Sequence, residues 1–482
     1  MVHQMIHDLA ITNGLAILEN GGKHIDIAVD NGVITQLGRQ FNARKVIDAT
    51  GLIVSPGMVD AHVHLTGIGG GLRDNFEGYQ TGTSAGAKGG VTTLIEMPMN
   101  QLPATINGRT LLQKYNAGQN NLKVDVASLG GIVPGNLNGE IQEMNCQGVC
   151  GYFIATCGHR CMKADFTNSD DHTLLEAMKQ VKKTGKVLTI HAENEAITQM
   201  LAERSEASGQ LSMADFVASR PVFAEVEEIR RVLSMAKETG CRISITHVSS
   251  IEGVDEITKA KADGIDVTCE VCVHYLYFSK EEADRIGPLL KCAPPIREKR
   301  QQTGLWQRLR DGKIDYVASD HSTCPPRLKA VKNVFQAWGG VAGLQNNVDI
   351  MFDEAVQKRK MTLKQFARLV ASNPADRFGL SKKGRISVGK DADFVLIKPN
   401  TSYILKADQL EYRNKISPYV GRSIGAKITQ TILRGRTVYS EQGGVTTAFQ
   451  GQFVKKFNQN HHNWTFKQLC DKRDTIFGQS KQ

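Results

Sequence analysis

The chain has 482 residues, 41% of them apolar and 22% charged, ordinary proportions that exclude the disordered and low-complexity classes. No stretch approaches the ~18–20 uninterrupted apolar residues of a membrane span, so no membrane partner is expected. The net charge of +10 is scattered along the chain, with some excess after Gly451, and an ungathered charge argues against nucleic acid as a partner.

Residues 1–57 read as strands. The runs 9–18, 25–29, 33–37 and 46–53 are short, β-prone and separated by turn residues such as Asn31-Gly32. The stretch 1–10 lacks a basic region followed by an apolar one, so no secretion signal is expected and the cytoplasm is the expected location. From residue 58 the pattern changes to eight short apolar runs, at 58–65, 91–97, 124–129, 148–155, 187–192, 242–248, 265–272 and 314–320. Helix-like stretches separate them. Residues 171–183 open on acids and close on lysines before Gly185, in accord with the helix dipole, and 225–237 and 252–262 are similar. Strands alternating with helices make a parallel sheet, and eight strands close it into a (β/α)₈ barrel. Helices follow at about 340–358 and 362–371, and β character returns at 384–397 and 428–438. The expected organisation is an α/β chain with a TIM-type barrel over 58–380. A small flanking β-sandwich is built from both chain ends, 1–57 and 381–450, and a basic, partly disordered tail covers 451–482. The 10 cysteines read as reduced and mostly buried. The lone CxxC, Cys269 and Cys272, reads as core.

Four of the eight runs end in a histidine or an aspartate. The first ends His62-Val63-His64, the fifth at His191, the sixth at His247 and the eighth at Asp320. Residues two apart on a strand share a face, so His62 and His64 point together. The carboxyl ends of barrel strands surround the active site. Four histidines and one aspartate at a single mouth are a metal site by composition. A lone buried histidine is more often a hydrogen-bonded core residue; the joint placement at four strand ends is what points to metal. His3, His7, His24, His159, His172, His461 and His462 have no such placement.

The segment Pro56-Gly57-Met58-Val59-Asp60-Ala61-His62-Val63-His64 resembles the opening motif of the cyclic amidohydrolases. The stretches Glu96-Met97-Pro98-Met99-Asn100-Gln101-Leu102-Pro103-Ala104-Thr105, Ala155-Thr156-Cys157-Gly158 and Ser319-Asp320-His321-Ser322 are similar to the allantoinase family in particular. So is Gly339-Gly340-Val341-Ala342-Gly343-Leu344-Gln345, and Gly389-Lys390-Asp391-Ala392-Asp393-Phe394 resembles the family's signature in the flanking β-domain. The resemblance runs from about Ala10 to Phe453. It implies a soluble hydrolase of cyclic amides that opens the hydantoin ring of allantoin to allantoate in purine catabolism. The implied cofactor is a divalent metal, zinc, at one or two ions per chain. His62, His64 and Asp320 would hold the more buried ion, and His191 and His247 the more exposed one. Asp320 would act as general base and then acid, and Asn100 and Ser322 would bind the ring. The implied partners are a small-molecule substrate and further copies of the chain, as a homotetramer.

One departure stands out. The family carries a carbamylated lysine at the end of strand four, bridging two metals. Here Gly148-Val149-Cys150-Gly151-Tyr152-Phe153-Ile154-Ala155 contains no lysine and looks two residues short between Tyr152 and Phe153. Lys163, the nearest later lysine, lies past the strand. Ala293, Val273 and Thr323 also stand where the family usually has Ser, Pro and Pro. Loss of an anionic bridge weakens binding of a pair of dications, so an impaired site is expected. Dihydropyrimidinase or hydantoinase activity is the alternative within the same chemistry. Dihydroorotase is disfavoured because Leu65-Thr66-Gly67-Ile68 lacks an arginine. A catalytically silent scaffold is the alternative of another class.

Overall fold

The eight apolar runs are strands because each is buried on both faces, as parallel strands wrapped by helices must be. The computed structural model describes residues 6–69, 71–158, 166–448 and 450–457. Among these the barrel strands are Met58–Val63, Val91–Glu96, Asp125–Ile132, Gly151–Ala155, Val187–His191, Ile243–Ile245, Val267–Cys272 and Tyr316–Ala318, neighbours in chain order in one sheet. The first and last meet through a parallel bridge of Val63 with His321, where His64 N donates to His321 O at 2.8 Å.

The expected barrel helices form with the caps their sequences offer. Asp170 accepts from Thr173 N at 2.8 Å to start Asp171–Thr184, which stops at Gly185 with φ 67°. Val222–Thr239 and Ile251–Ala262 occupy the next two positions. The segments expected as plain helices at 340–358 and 362–371 are broken. Residues 339–343 stay non-helical, a tight turn Leu344–Asn346 leads into Asn347–Met351, and the coil widens to π geometry over Phe352–Lys358 and again over Arg368–Ser372. Such widened turns recur near functional sites, and no hydrophobic period announces them.

Both chain ends build the sandwich. One sheet runs Val33–Gly38, Asp26–Asp30, His7–Thr12, Ala43–Asp48. The other runs Gly444–Val445, Arg436–Ser440, Lys427–Leu433, Phe394–Lys398, Ile53–Pro56, Leu15–Leu18, Gly21–His24. The two ends meet where Phe394–Lys398 pairs antiparallel with Ile53–Pro56, and Leu9, Ile27, Ile34, Val54, Phe394 and Leu396 fill the space between the sheets. Two details differ from the sequence reading. The run 9–18 is two strands, interrupted at Asn13, whose φ is 63°. Gly21–His24 is an extra, largely exposed edge strand with no apolar pattern to reveal it.

A buried charge cluster ties sandwich to barrel. Lys383 Nζ lies 2.6 Å from Asp125 Oδ2 and 2.8 Å from both Asp391 Oδ2 and Asp393 Oδ2, and Arg434 also pairs with Asp125. The expected tail begins in ordered contact. Val454 N donates to Val126 O at 2.8 Å, and the Phe453 ring packs tilted against Tyr115 and edge-on to Tyr79, with centroids 4.7 and 5.9 Å away. The rest of the tail, 458–482, lies outside the described residues, as does Lys163. Among the described residues no helix is long and apolar enough to cross a membrane.

Candidate active site

Strand alternation brings His62 and His64 to the barrel mouth on one face, and Asp320 reaches them from the turn after the eighth strand. His62 Nε2 and His64 Nε2 each lie 3.2 Å from Asp320 Oδ1, and all three residues are buried. Their other ring nitrogens are committed. His62 Nδ1 donates to Glu270 Oε1 at 2.9 Å and His64 Nδ1 to Met99 O at 3.5 Å. With the protons on Nδ1, both Nε2 atoms and the carboxylate oxygen are acceptors facing one another. Three converging acceptors need a cation between them, and second partners on Nδ1 are what metal-ligating histidines have. The trio therefore fits a divalent ion.

The electrostatics agree. Burial alone would push His62 down, but Asp320 and Glu270 outweigh it and hold the ring at about 9. Without an ion, a proton must do the ion's work. Burial would raise Asp320, yet His62 and His64 keep its carboxyl far below the usual range. Burial lowers His64 and, with His191 beside it, drives His247 well below 6.5, so neutral imidazole is available as a ligand.

His191 and His247 stand at the ends of the fifth and sixth strands and reach the same cleft, with the His62 and His247 rings 5.4 Å apart. Both His191 nitrogens are engaged: Nδ1 lies 3.1 Å from His247 Nε2 and Nε2 lies 2.9 Å from Glu193 Oε2. Glu193 is itself paired with Arg220. Burial would raise the Glu193 carboxyl, but Arg220 and His191 bring it down to about 2. Between this pair and His62 the family's bridging lysine is expected. Instead, the fourth strand aligns with both neighbours without a register shift and turns Phe153, 2% exposed, into the barrel and onto the cleft wall. A phenyl ring carries no anion for two dications to share. The described residues fit one ion and, as arranged, do not fit the lysine-bridged second.

Asn100 and Ser322 form the rim. Ser322 Oγ accepts from Asn100 Nδ2 at 3.4 Å and from Trp338 Nε1 at 3.2 Å, which leaves its own proton to donate. Asn100 Oδ1 is buried with no partner among the described residues. Asn100, His247 and Asp320 all have positive φ, at 65°, 38° and 45°. Non-glycine residues held there cost about 1–3 kcal/mol each and cluster at functional sites. The Asn100 loop rests on a buried pair, Lys114 Nζ 3.4 Å from Glu96 Oε2, with Lys114 also donating to Met97 O at 3.0 Å. Gly340 completes the wall. Its φ is 151°, and a Cβ there would meet Ser322 Cβ at 2.6 Å. Gly340→Ala is expected to cost roughly 1–3 kcal/mol of stability, as overpacking does, and to raise KM by displacing Ser322. Denaturant melts and a substrate titration check this, and an unchanged KM would clear Ser322 of any contact with substrate.

Sequence reasoning passed over the residues that hold the ligands in place. Glu270 bonds His62, and it also accepts from His247 N at 3.1 Å. Asp60 accepts from Ser319 N at 3.0 Å and Asn347 Nδ2 at 3.3 Å, and burial raises its carboxyl to about 6 against the opposing pull of Ser319 and His62. Both carboxylates interrupt otherwise apolar strands, a signal that could have been read.

The chain is similar to known proteins over most of its length. The Amidohydrolase family model matches residues 53–438. Allantoinase from Enterococcus faecalis is 60% identical over 93% of this chain and 99% of that protein. Allantoinase from Bacillus licheniformis is 56% identical over 93% and 100%. The solved L-hydantoinase (dihydropyrimidinase) of Arthrobacter aurescens superposes with a TM-score of 0.89 at 35% identity, covering 94% of this chain and 100% of that one. The chain belongs to the amidohydrolase family, on its allantoinase branch.

Proposed function

We propose that the protein hydrolyses the hydantoin-ring amide of allantoin to give allantoate, with a zinc ion held by His62, His64 and Asp320. The carrying observation is the identity of 60% to an allantoinase over nearly the whole chain, set on a cleft whose acceptors converge on one cation. When bound, the ion polarises the scissile carbonyl and lowers the pKa of water. The chain's own residues do the rest. Asp320 takes the proton of the attacking water and returns it to the leaving nitrogen. Glu270 and Met99 O fix the ligand tautomers. Asn100 Oδ1 is a buried acceptor suited to a ring N–H, and Ser322 has a proton to give a ring carbonyl.

The hydantoinase neighbour supports the same chemistry on another ring as a second reading, and its identity of 35% against 60% places allantoin first. Phe153 in the lysine's place favours a silent scaffold, but that reading leaves the strained backbone at Asn100, His247 and Asp320 without a purpose. Side-by-side turnover decides among the three. Allantoin is expected to be opened at least about ten-fold faster than dihydrouracil, the discrimination a few pocket contacts supply. Faster opening of dihydrouracil makes the enzyme a dihydropyrimidinase, and no turnover of either supports the scaffold. Cytoplasmic location is proposed on the cysteines, of which eight among the described residues are free thiols. A homotetramer is proposed on the family resemblance, and sedimentation analysis tests it.

A further inference from the structure

Cys272 and His274 stand at the carboxyl end of the seventh barrel strand, and no role described so far uses them. Both are buried, at 0% and 1% exposure. One ligand atom from each lies within 4.8 Å of the other and of an Asp320 oxygen. His274 Nε2 is a buried nitrogen with no hydrogen-bond partner among the described residues, while the backbone at Ser319 takes the ring's other nitrogen. That is the disposition already seen at His62 and His64: one nitrogen fixed on an acceptor, the other left with a bare lone pair. Both contacts of Asp320 with His62 and His64 use Oδ1, and a carboxylate has a second oxygen to give.

The charges around this trio distinguish it from two others. Cys157, His191 and Glu193 also converge, but Arg220 already neutralises Glu193. Asp125, Asp391 and Asp393 converge around Lys383. Beside Cys272 and His274 the foremost charged neighbours are Asp320, Glu270, Asp60 and the His62 ring, which is itself a ligand of the first ion.

We propose that Cys272, His274 and Asp320 form a thiolate-bearing site for a second divalent ion of the zinc class, with Asp320 as the carboxylate shared between it and the ion on His62 and His64. The shared carboxylate supplies the anionic bridge that strand four no longer provides. A thiolate and an imidazole select zinc over magnesium or calcium. A coordinated thiol gives up its proton outright, which removes the obstacle that burial sets against a free thiolate here. The proposal rests on Asp320 being a ligand of the first ion.

X-ray absorption at the zinc edge of the zinc-saturated wild-type protein tests it. The expected result is a sulfur scatterer at about 2.3 Å beside nitrogen and oxygen at about 2.0–2.1 Å. The sulfur should vanish, with one ion lost per chain, in Cys272→Ser, and persist in Cys292→Ser, whose thiol lines the cleft. A wild-type spectrum with nitrogen and oxygen alone overturns the proposal and leaves the first site standing; protein that holds no tight metal overturns both. Sulfur that survives Cys272→Ser, or is lost in Cys292→Ser, also overturns it. Should Cys272→Ser fail to fold, the wild-type and Cys292→Ser spectra still decide.

Discussion

Asp320→Asn is expected to strip the tightly bound metal and lower turnover by at least ~10²–10⁴-fold, the range that a positioned proton-transfer group contributes. Loss of the ion adds to that. The substitution keeps the volume but puts a neutral amide where both His62 Nε2 and His64 Nε2 face an anion at 3.2 Å. The fold should survive, because Glu270 and Met99 O still hold the two rings. His62→Ala should also empty the site. His191→Ala should leave the tight ion in place, because both His191 nitrogens are occupied by His247 and Glu193. Metal analysis by mass spectrometry on the three variants, with kcat for each, reads the result. Metal retained in both Asp320→Asn and His62→Ala would remove these residues from the ligand set.

Inserting a lysine and one small apolar residue between Tyr152 and Phe153 should raise turnover by about 10-fold or more, the scale on which supporting groups move metal affinity and activity. Tyr152 points outward, its hydroxyl donating to Ile141 O at 2.8 Å, and Phe153 points inward. Two added residues preserve the alternation, so the lysine takes an inward position and Phe153 keeps one. The lysine must be carbamylated to bridge, so the inserted enzyme, unlike its parent, should gain activity with added bicarbonate. His191→Ala should now cost an ion in the inserted background. If the parent already loads the His191–His247 pair and the insertion changes neither metal nor turnover, another residue bridges there and this reading of strand four fails.

The barrel was legible because its signal is local. Eight short apolar runs separated by helical stretches need no partner to be recognised, and His62, His64, His191, His247 and Asp320 advertise themselves by standing at strand ends. The supporting layer was not legible in the same way. Glu270 matters because its side chain reaches from the seventh strand past the eighth to His62 on the first, a contact 208 residues apart in sequence. Asp60 looks like a strand residue until Ser319 and Asn347 arrive from the other end of the barrel. Cys272 was read as core from the CxxC pattern. On a strand, residues three apart face opposite ways, so the pair was never one unit, and only the seventh strand's position beside Asp320 gives Cys272 a role. The π-widened turns at Phe352–Lys358 and Arg368–Ser372 answer to packing and leave no period in the sequence.

The antiparallel pairing of Phe394–Lys398 with Ile53–Pro56 has a bearing on synthesis. A ribosome releases residues 53–56 long before residues 394–398, and the whole barrel emerges in between. Until then one edge of the early sheet has no partner, and an unpaired edge invites association with other chains. Chains terminated before residue 394 are therefore left with an exposed edge whatever the state of their barrel. Once residues 394–398 have emerged, the chain covers that edge with its own later strand, so removal of the sticky surface follows synthesis of the barrel.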